Sequence, residues 1–282
     1  MRKLIYLLTL ITFFSCKIID PDELVPSYIY IEDIQVDTKL SEGSNSDKII
    51  DAWVYVNGNN IGVFELPAKI PIHATGNYDL VIFPGIKNTS LLPERIKYPF
   101  YNSFDSTLLS VAHHIDTLKP TVTYKSTPTI WVEDFEDPGV KFTSISYSDT
   151  SLEITTIPTE IFEGNGAGKI KLAPHHLFFH AKTNEILFNS FPIGGNPVYM
   201  ELNYKGNATL IVGIYHNNSS TTPVKEQYYR LKPSSSWNKT YLNLTTIVSP
   251  QTNADEFDVY LEVIQNDNSN AEIFVDNIKV IF

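Results

Sequence analysis

The sequence contains little cysteine and little positive charge. One cysteine is present among 282 residues, so an intrachain disulfide and a zinc cluster built from cysteines are both excluded. Lys and Arg number 21 and Asp and Glu number 32, which gives a net charge of -11 at pH 7. Because nucleic-acid binding needs a basic surface that neutralises phosphates, this charge balance argues against a nucleic-acid partner.

The common sequence signatures of enzymes are also missing. The chain has no Gly-x-Ser-x-Gly elbow and no phosphate-binding loop motif, and Cys16 is its sole cysteine. The glycine-rich run 164–168 is not followed by a helical pattern, so it predicts a mobile loop rather than a phosphate cradle. Because 32 acidic residues allow many pairings of carboxylates, a glycan-active enzyme stays open as an alternative to the non-enzymatic protein that we predict.

A long hydrophobic run is absent as well. The uncharged stretch 4–14 is 11 residues long, which is too short for a membrane-spanning helix of about 20 residues. It follows Arg2 and Lys3, and this arrangement is typical of a secretory signal peptide. We therefore predict a signal peptide over residues 1–15.

The residues that follow carry a resemblance to bacterial lipoproteins. Ser15 directly before Cys16 resembles a lipobox, which implies cleavage before Cys16 and acylation, including a palmitate-type chain, at its thiol. Several acyl chains on one residue make a firm anchor. The alternative is an ordinary signal peptide with a chance cysteine.

The predicted tether, residues 16–27, indicates where the anchored protein faces. Lys17 and the acidic cluster 20–23 resemble the surface-export signal of Bacteroidota lipoproteins. The resemblance implies a lipid-anchored outer-membrane protein at the cell surface, and the alternative is the periplasmic face.

Composition and patterning predict an all-β chain with two β-sandwich domains, 28–126 and 131–282. Aromatic residues make up 12% of the sequence, and short apolar runs are separated by Gly, Asn and Pro. Asn57-Gly58 between alternating runs predicts a hairpin, and Pro84-Gly85 predicts the end of a strand. We expect residues 131–282 to fold alone, with their first and last strands paired.

The first of these domains has motifs that resemble known surface modules. The segments 56–58, 62–67, 76–78 and 83–85 resemble immunoglobulin-like or transthyretin-like β-sandwiches. This resemblance implies a fold and not an activity.

The second domain resembles the galactose-binding-like jelly roll. The resemblance rests on the opening segment 134–136, the closing segment 275–278 and the run Trp237-Asn238-Lys239. Because carbohydrate-binding modules use this fold, the resemblance implies a jelly-roll sandwich that could bind a glycan.

The jelly-roll resemblance also implies a structural calcium ion where the first and last strands meet. The matching positions are Asp134, Glu136 and Asp276, whose carboxylates would supply the oxygen ligands that Ca²⁺ prefers. In a strand, Asp134 and Glu136 would share a face. The alternative is that these acids are solvated or bonded to turn amides.

Aromatic side chains are the candidates for sugar binding, because sugars stack their CH groups on ring faces. We predict ligand-binding roles for Trp53, Tyr199, Tyr215 and Trp237, and the alternative for each is a place in the core.

Three histidines of the second domain are candidate metal ligands. His175, His176 and His180 are close in sequence and histidine is a common metal ligand, but the neighbouring Phe178 and Phe179 favour a packed strand.

Two short motifs suggest glycosylation of the chain itself. Asp105-Ser106-Thr107 and Asp116-Thr117-Leu118 resemble the acceptor motif of Bacteroidota O-glycosylation. This implies Ser106 and Thr117 as modified residues, and we expect both in exposed loops.

Together these features predict an outer-membrane surface lipoprotein that acts as a non-enzymatic binding or accessory subunit. Its expected partners are the membrane, through the lipid anchor, and a glycan or an outer-membrane protein. The alternatives are a dedicated polysaccharide-binding protein and a jelly-roll enzyme that acts on glycans.

Overall fold

The computed structural model describes residues 24–88, 94–184, 191–218, 222–265 and 269–282. Strands hold 57% of the described residues and helices 4%, which confirms the predicted all-β fold class. The predicted signal peptide 1–15, Cys16 and the tether up to residue 23 lie outside the described residues. No helix among the described residues is long and apolar enough to cross a membrane.

Ten strands form the first half of the described chain. They are β1 (Ser27–Ile31), β2 (Gln35–Asp37), β3 (Ile49–Val56), β4 (Asn59–Glu65), β5 (Ala68–Ile72), β6 (Gly76–Asn88), β7 (Glu94–Lys97), β8 (Phe104–Ser110), β9 (Ile115–Leu118) and β10 (Thr121–Thr123). A five-stranded sheet has the order β4-β3-β6-β7, and β8 also pairs with β6. Smaller sheets, β5-β1-β9 and β10-β2, contribute Ile29, Ile70 and Val122 to the same hydrophobic core as Val54 and Leu80 of the larger sheet.

The predicted hairpin at Asn57-Gly58 is confirmed. These two residues connect β3 to β4 with φ angles of 49° and 77°, which are the positive values that a tight two-residue turn requires. The predicted strand end at Pro84-Gly85 is wrong, because β6 continues to Asn88. A bulge in β3 between Ile49 and Asp51 lets β6 stay paired beyond Pro84. Gly85 lies so close to Trp53 that a Cβ there would be 2.8 Å from the indole nitrogen.

Eleven strands and one short helix form the second half of the described chain. They are β11 (Ile130–Glu133), β12 (Phe142–Ser144), β13 (Leu152–Thr155), β14 (Ala167–Leu172), β15 (Phe178–Thr183), β16 (Tyr199–Gly206), β17 (Leu210–Asn217), β18 (Val224–Leu231), β19 (Ser234–Asn243), α1 (Thr245–Val248), β20 (Glu256–Ile264) and β21 (Ala271–Ile281). Single 3-10 turns lie at Leu40–Glu42 and Pro158–Glu160.

The second half is a sandwich of two sheets. A six-stranded sheet has the order β13-β14-β21-β16-β19 with β11 also paired to β21, and a five-stranded sheet has the order β12-β15-β20-β17-β18. Alternate residues of both sheets, such as Leu202, Val212, Leu261 and Val280, fill one core between them. The first and last strands pair antiparallel, with Trp131 opposite Val280.

The two halves share buried surface. Tyr199, Tyr241 and Ile281, on the outer side of the six-stranded sheet, belong to the core of the first half. The domain boundaries at 28–126 and 131–282, and the independent folding of the second half, stay predictions.

Candidate functional site

Polar and aromatic side chains cover the outer side of the five-stranded sheet. Phe179 and Ala181 on β15 point into the core, so the alternating pattern of a strand places Phe178, His180 and Lys182 on the opposite side. The same alternation on β17, β18 and β20 brings further side chains to this surface. We call this surface the open face, and its members are Phe178, His180, Lys182, Tyr215, Lys225, Asp258, Tyr260 and Glu262.

A chain of hydrogen bonds crosses the open face. Glu262 accepts a bond from Lys225 and lies 2.8 Å from Nδ1 of His180, while Nε2 of His180 lies 3.2 Å from the hydroxyl of Tyr215. Because an ionised carboxylate can only accept, Nδ1 of His180 donates to Glu262. Nε2 and the Tyr215 hydroxyl share the second hydrogen bond of the ring. The chain holds four side chains in fixed positions on neighbouring strands.

The charge of Glu262 is stabilised where it sits. Burial raises the pKa of Glu262, but the hydrogen bonds from His180 and Lys225 outweigh that effect and leave the pKa below its ordinary value. Burial, together with the nearby carboxylates Glu262 and Asp258, raises the pKa of Tyr215 to about 12. Glu262 is therefore an ionised carboxylate buried beneath the open face, and Tyr215 is a protonated phenol.

Aromatic rings surround this polar chain. The imidazole of His180 stacks on Tyr260 with 4.7 Å between ring centroids and on Phe178 with 5.9 Å. A Cβ at Gly213 on β17 would lie 2.6 Å from the hydroxyl of Tyr260, so glycine is needed for this ring to lie across the strand. The rings of Phe178, His180 and Tyr260 therefore pack closely against one another on this surface.

Tyr147 extends this aromatic surface toward solvent. Its side chain is 67% exposed, and its ring stacks on Phe178 at 5.7 Å with 15° between the planes. The loop that carries Tyr147 is tied to β15, because Ser148 Oγ accepts the amide of His180 and Asp149 accepts the amide of Phe178. Tyr147 is thus an exposed aromatic residue on a fixed loop.

A cavity of about 360 Å³ lies beside the open face, and Lys182, Thr183 and Asp258 contribute to its lining. Asp258 accepts hydrogen bonds from both Lys182 and Thr183 Oγ1, the latter at 2.8 Å. The cavity adds charged and hydroxyl groups to the edge of the aromatic surface.

The four aromatic residues predicted to bind ligand are scattered over the structure. Tyr215 lies on the open face as described. Tyr199 is 3% exposed because the two halves pack around it, so the prediction that its ring stacks on a sugar is not supported. Trp53 is half-buried on β3 beside Lys97, and Trp237 is half-buried on β19, where Lys205 lies 4.9 Å from its ring.

The residues predicted to bind calcium lie near the junction of the first and last strands, but not as expected. Asp134 and Glu136 do not share a strand face, because β11 ends at Glu133 and Phe135 has a φ of 59°. Asp276 is buried on β21.

Backbone amides occupy two of these carboxylates. Glu136 accepts from the amides of Asn165 at 2.7 Å and Gly166 at 3.2 Å, which fixes the glycine-rich loop. Asp276 accepts from the amide of Asn277 at 2.8 Å, and burial raises its pKa to about 7. Over residues 24–88, 94–184, 191–218, 222–265 and 269–282, no group of three or more His, Cys, Asp or Glu side chains could hold a metal ion. In this arrangement the carboxylates form no calcium shell, and calcium binding stays a prediction.

The expected glycosylation residues lie in strands. Ser106 is on β8 and half-buried, whereas Thr117 is on β9 and exposed, so the expectation of exposed loops is wrong for both. The modification itself stays a prediction.

Sequence reasoning found only part of the open face. His176 lies before β15 and His175 in a turn, so they do not join His180. Tyr147, Phe178 and Tyr260 were missed. The alternation of Phe178, Phe179 and His180 was a usable signal, since it predicts that the first and third point to the same side.

No protein-family model matches the chain, and no curated protein matches it in sequence. Among solved structures, the family 11 carbohydrate-binding module of the cellulase Lic26A-Cel5E of Clostridium thermocellum is similar at 14% identity and a TM-score of 0.35, covering 54% of this chain and 94% of that one. A family 29 carbohydrate-binding module from Piromyces equi is similar at 14% identity and a TM-score of 0.34, and the match covers 55% of this chain and 91% of that one. An α-L-arabinofuranosidase, MgGH51, is similar at 9% identity and a TM-score of 0.38, and the match covers 52% of this chain and 25% of that one. At these values the likenesses do not carry function over to this chain.

Proposed function

We propose that this protein binds carbohydrate, without catalysis, on the open face. The observation that carries the proposal is the exposed ring of Tyr147, which stacks on Phe178 beside a fixed array of polar groups. Aromatic faces suit the CH groups of a sugar ring, and a few fixed polar groups suit its hydroxyls. Asp258, whose side chain is 21% exposed, can accept from a sugar hydroxyl, and Lys225, whose side chain is 35% exposed, can donate to one.

Binding fits the chemistry of the open face better than hydrolysis does. A glycosidase needs a carboxylic acid whose pKa is raised, so that it can protonate the leaving group. Glu262 has the opposite property, since His180 and Lys225 hold its pKa below the ordinary value. We therefore keep glycan hydrolysis as the second candidate and test it in the same experiment.

We also propose that the protein is held at the outer membrane, on the cell surface, by a lipid on Cys16. The support is the sequence of residues 2–23 alone. Replacement Cys16→Ser should leave the protein uncleaved or release it from the membrane fraction. Normal cleavage together with unchanged membrane partitioning would contradict the anchor.

A glycan array on the full chain in detergent solution tests the binding proposal. We expect retention on at least one neutral polysaccharide and a loss of about tenfold in affinity for Tyr147→Ala, which corresponds to about 1.4 kcal/mol. The control is Phe162→Ala, which removes an exposed ring that packs on Trp237 of the other sheet.

Two outcomes would contradict the proposal. One is an absence of binding to every glycan, and the other is an equal loss for Tyr147→Ala and Phe162→Ala. Release of new reducing ends from a bound glycan would favour the enzymatic alternative.

A further inference from the structure

A second cavity, of about 550 Å³, lies between the two halves and is lined by basic residues. These are Lys48, Lys87, Arg230, Lys232 and Lys239, and we call this cavity the basic cleft. No Asp or Glu is among the residues that line it. Five cations around one cavity are unusual in a chain whose net charge is -11.

Among the described residues, most of these cations have no anionic partner. Lys239 pairs with the buried Glu201 at 2.9 Å. Within the part of the chain that the structure describes, Lys87, Arg230 and Lys232 make no ion pair with an Asp or Glu side chain. The basic cleft therefore holds more positive charge than the surrounding carboxylates neutralise.

The environment of Lys48 shows the same imbalance. Its ammonium donates a 2.5 Å hydrogen bond to the neutral side chain of Asn238. Burial, and then the charge of Lys87, lower the pKa of Lys48. An anion placed in the basic cleft would relieve this repulsion.

We infer that the basic cleft binds a small ligand that carries an oxyanion: a carboxylate, sulfate or phosphate group. Arg230 can hold such a group through paired N–H donors, and the lysines add charge attraction. The volume lies within the range of small-molecule sites, and Asn238 and Tyr204 supply polar groups for the uncharged part of a ligand the size of one or two sugars. This site is separate from the open face and does not depend on the proposed function.

Calorimetric titration of the full chain in detergent tests this inference. The probes are inorganic phosphate, inorganic sulfate and digalacturonate, with neutral galactobiose as the uncharged comparison. We expect at least one anion to bind, with affinity that falls as salt is raised. Binding of digalacturonate alone identifies an acidic sugar as the ligand class, whereas binding of phosphate or sulfate identifies the inorganic group.

Charge reversal locates the binding. Arg230 and Lys232 are exposed. Arg230→Glu and Lys232→Glu should each lower the affinity for the anion by at least tenfold. Lys119→Glu makes the same charge change at an exposed residue outside the basic cleft and should leave the affinity within twofold. Tyr147→Ala should also leave it unchanged, which separates this site from the open face.

The inference is overturned if none of the three anions binds. It is equally overturned if Lys119→Glu weakens binding as much as Arg230→Glu does, since the effect would then come from overall charge.

Discussion

The two sheets of the second half both hide charged side chains on their outer sides, but different neighbours cover them. On the six-stranded sheet, Tyr199, Glu201, Lys239, Tyr241, Lys279 and Ile281 form what we call the docked face, and the first half packs on it. Glu201 there accepts hydrogen bonds from Tyr98 at 2.6 Å and Tyr124 at 2.9 Å, both contributed by the first half. On the open face, the described side chains that contact His180 and Glu262 belong to the same half.

The difference shows what each face can still do. Groups of the first half bind the buried side chains of the docked face. Lys279 donates to the carbonyl of Ser44 at 2.5 Å, and Tyr98 packs against Tyr199 with ring centroids 5.4 Å apart. The open face keeps part of its ring surface in contact with solvent, above all at Tyr147. A sheet face with fixed polar groups and exposed rings retains the capacity to bind a ligand across its surface, whereas on the docked face the first half takes that place beside the basic cleft.

The largest expected effect is the loss of the buried carboxylate on the docked face. Burial raises the pKa of Glu201, but Lys239, Lys279 and the bond from Tyr98 outweigh it, so the carboxylate is ionised. Glu201→Ala leaves two buried lysines without their anion and should cost about 3–5 kcal/mol of unfolding free energy. Denaturant unfolding measures this loss.

The matched change on the open face is Glu262→Ala. Its partner Lys225 is partly exposed and can turn toward water, so we expect a smaller loss of about 1–3 kcal/mol. Equal losses for Glu201→Ala and Glu262→Ala would contradict the distinction between the two faces.

The two sheets should also differ in their response to pH. Burial raises the pKa of Asp276 on the six-stranded sheet to about 7, so its contribution to stability is complete below its unfolded pKa near 4 and is lost as pH rises through about 7. Relative to Asp276→Asn, the wild type should therefore lose ~1–4 kcal/mol between pH 4 and pH 8.

Glu262 should show the opposite trend. Its pKa lies below the ordinary value, so its contribution is present above pH 4.5 and is lost as the pH falls through its folded value. Thermal melts of wild type, Asp276→Asn and Glu262→Gln from pH 3.5 to 8 measure both trends. If stability depended on pH in the same way in both variants, the environments assigned to Asp276 and Glu262 would be wrong.

Single hydroxyl groups should show the same difference between the two faces. Tyr124→Phe removes a hydrogen bond to an ionised, buried carboxylate and should cost about 1.5–3 kcal/mol. Tyr215→Phe removes the hydrogen bond between the phenol and the imidazole of His180 and has the smallest expected cost, about 0.5–1.5 kcal/mol. A larger loss for Tyr215→Phe than for Tyr124→Phe in denaturant unfolding would reverse the comparison.

The sequence predicted the strands better than it predicted the site. The all-β fold class and the Asn57-Gly58 hairpin follow from local turn chemistry and alternation. The pairing of the first and last strands was instead implied by the jelly-roll resemblance. Pro84-Gly85 was misjudged because a bulge in the partner strand, a tertiary feature, lets β6 pass through it.

The site depends on contacts that sequence spacing does not reveal. His180 and Glu262 are 82 residues apart, and Tyr199 is hidden by a half of the chain that its own strand pattern says nothing about. Alternation shows that Tyr199 leaves the core of its own sandwich, but not that another core receives it. For the same reason, the exposed Tyr147 could not be placed beside Phe178 from its turn alone.

The most direct test of the open face as the ligand surface is hydroxyl-radical footprinting of the full chain with and without a glycan that the array identifies. We predict that bound glycan protects Tyr147, Phe178 and Tyr215 from oxidation and leaves Phe162 and Trp237 on the other sheet unchanged. Protection of Phe162 and Trp237, with Tyr147 as reactive as in the free protein, would contradict the proposal.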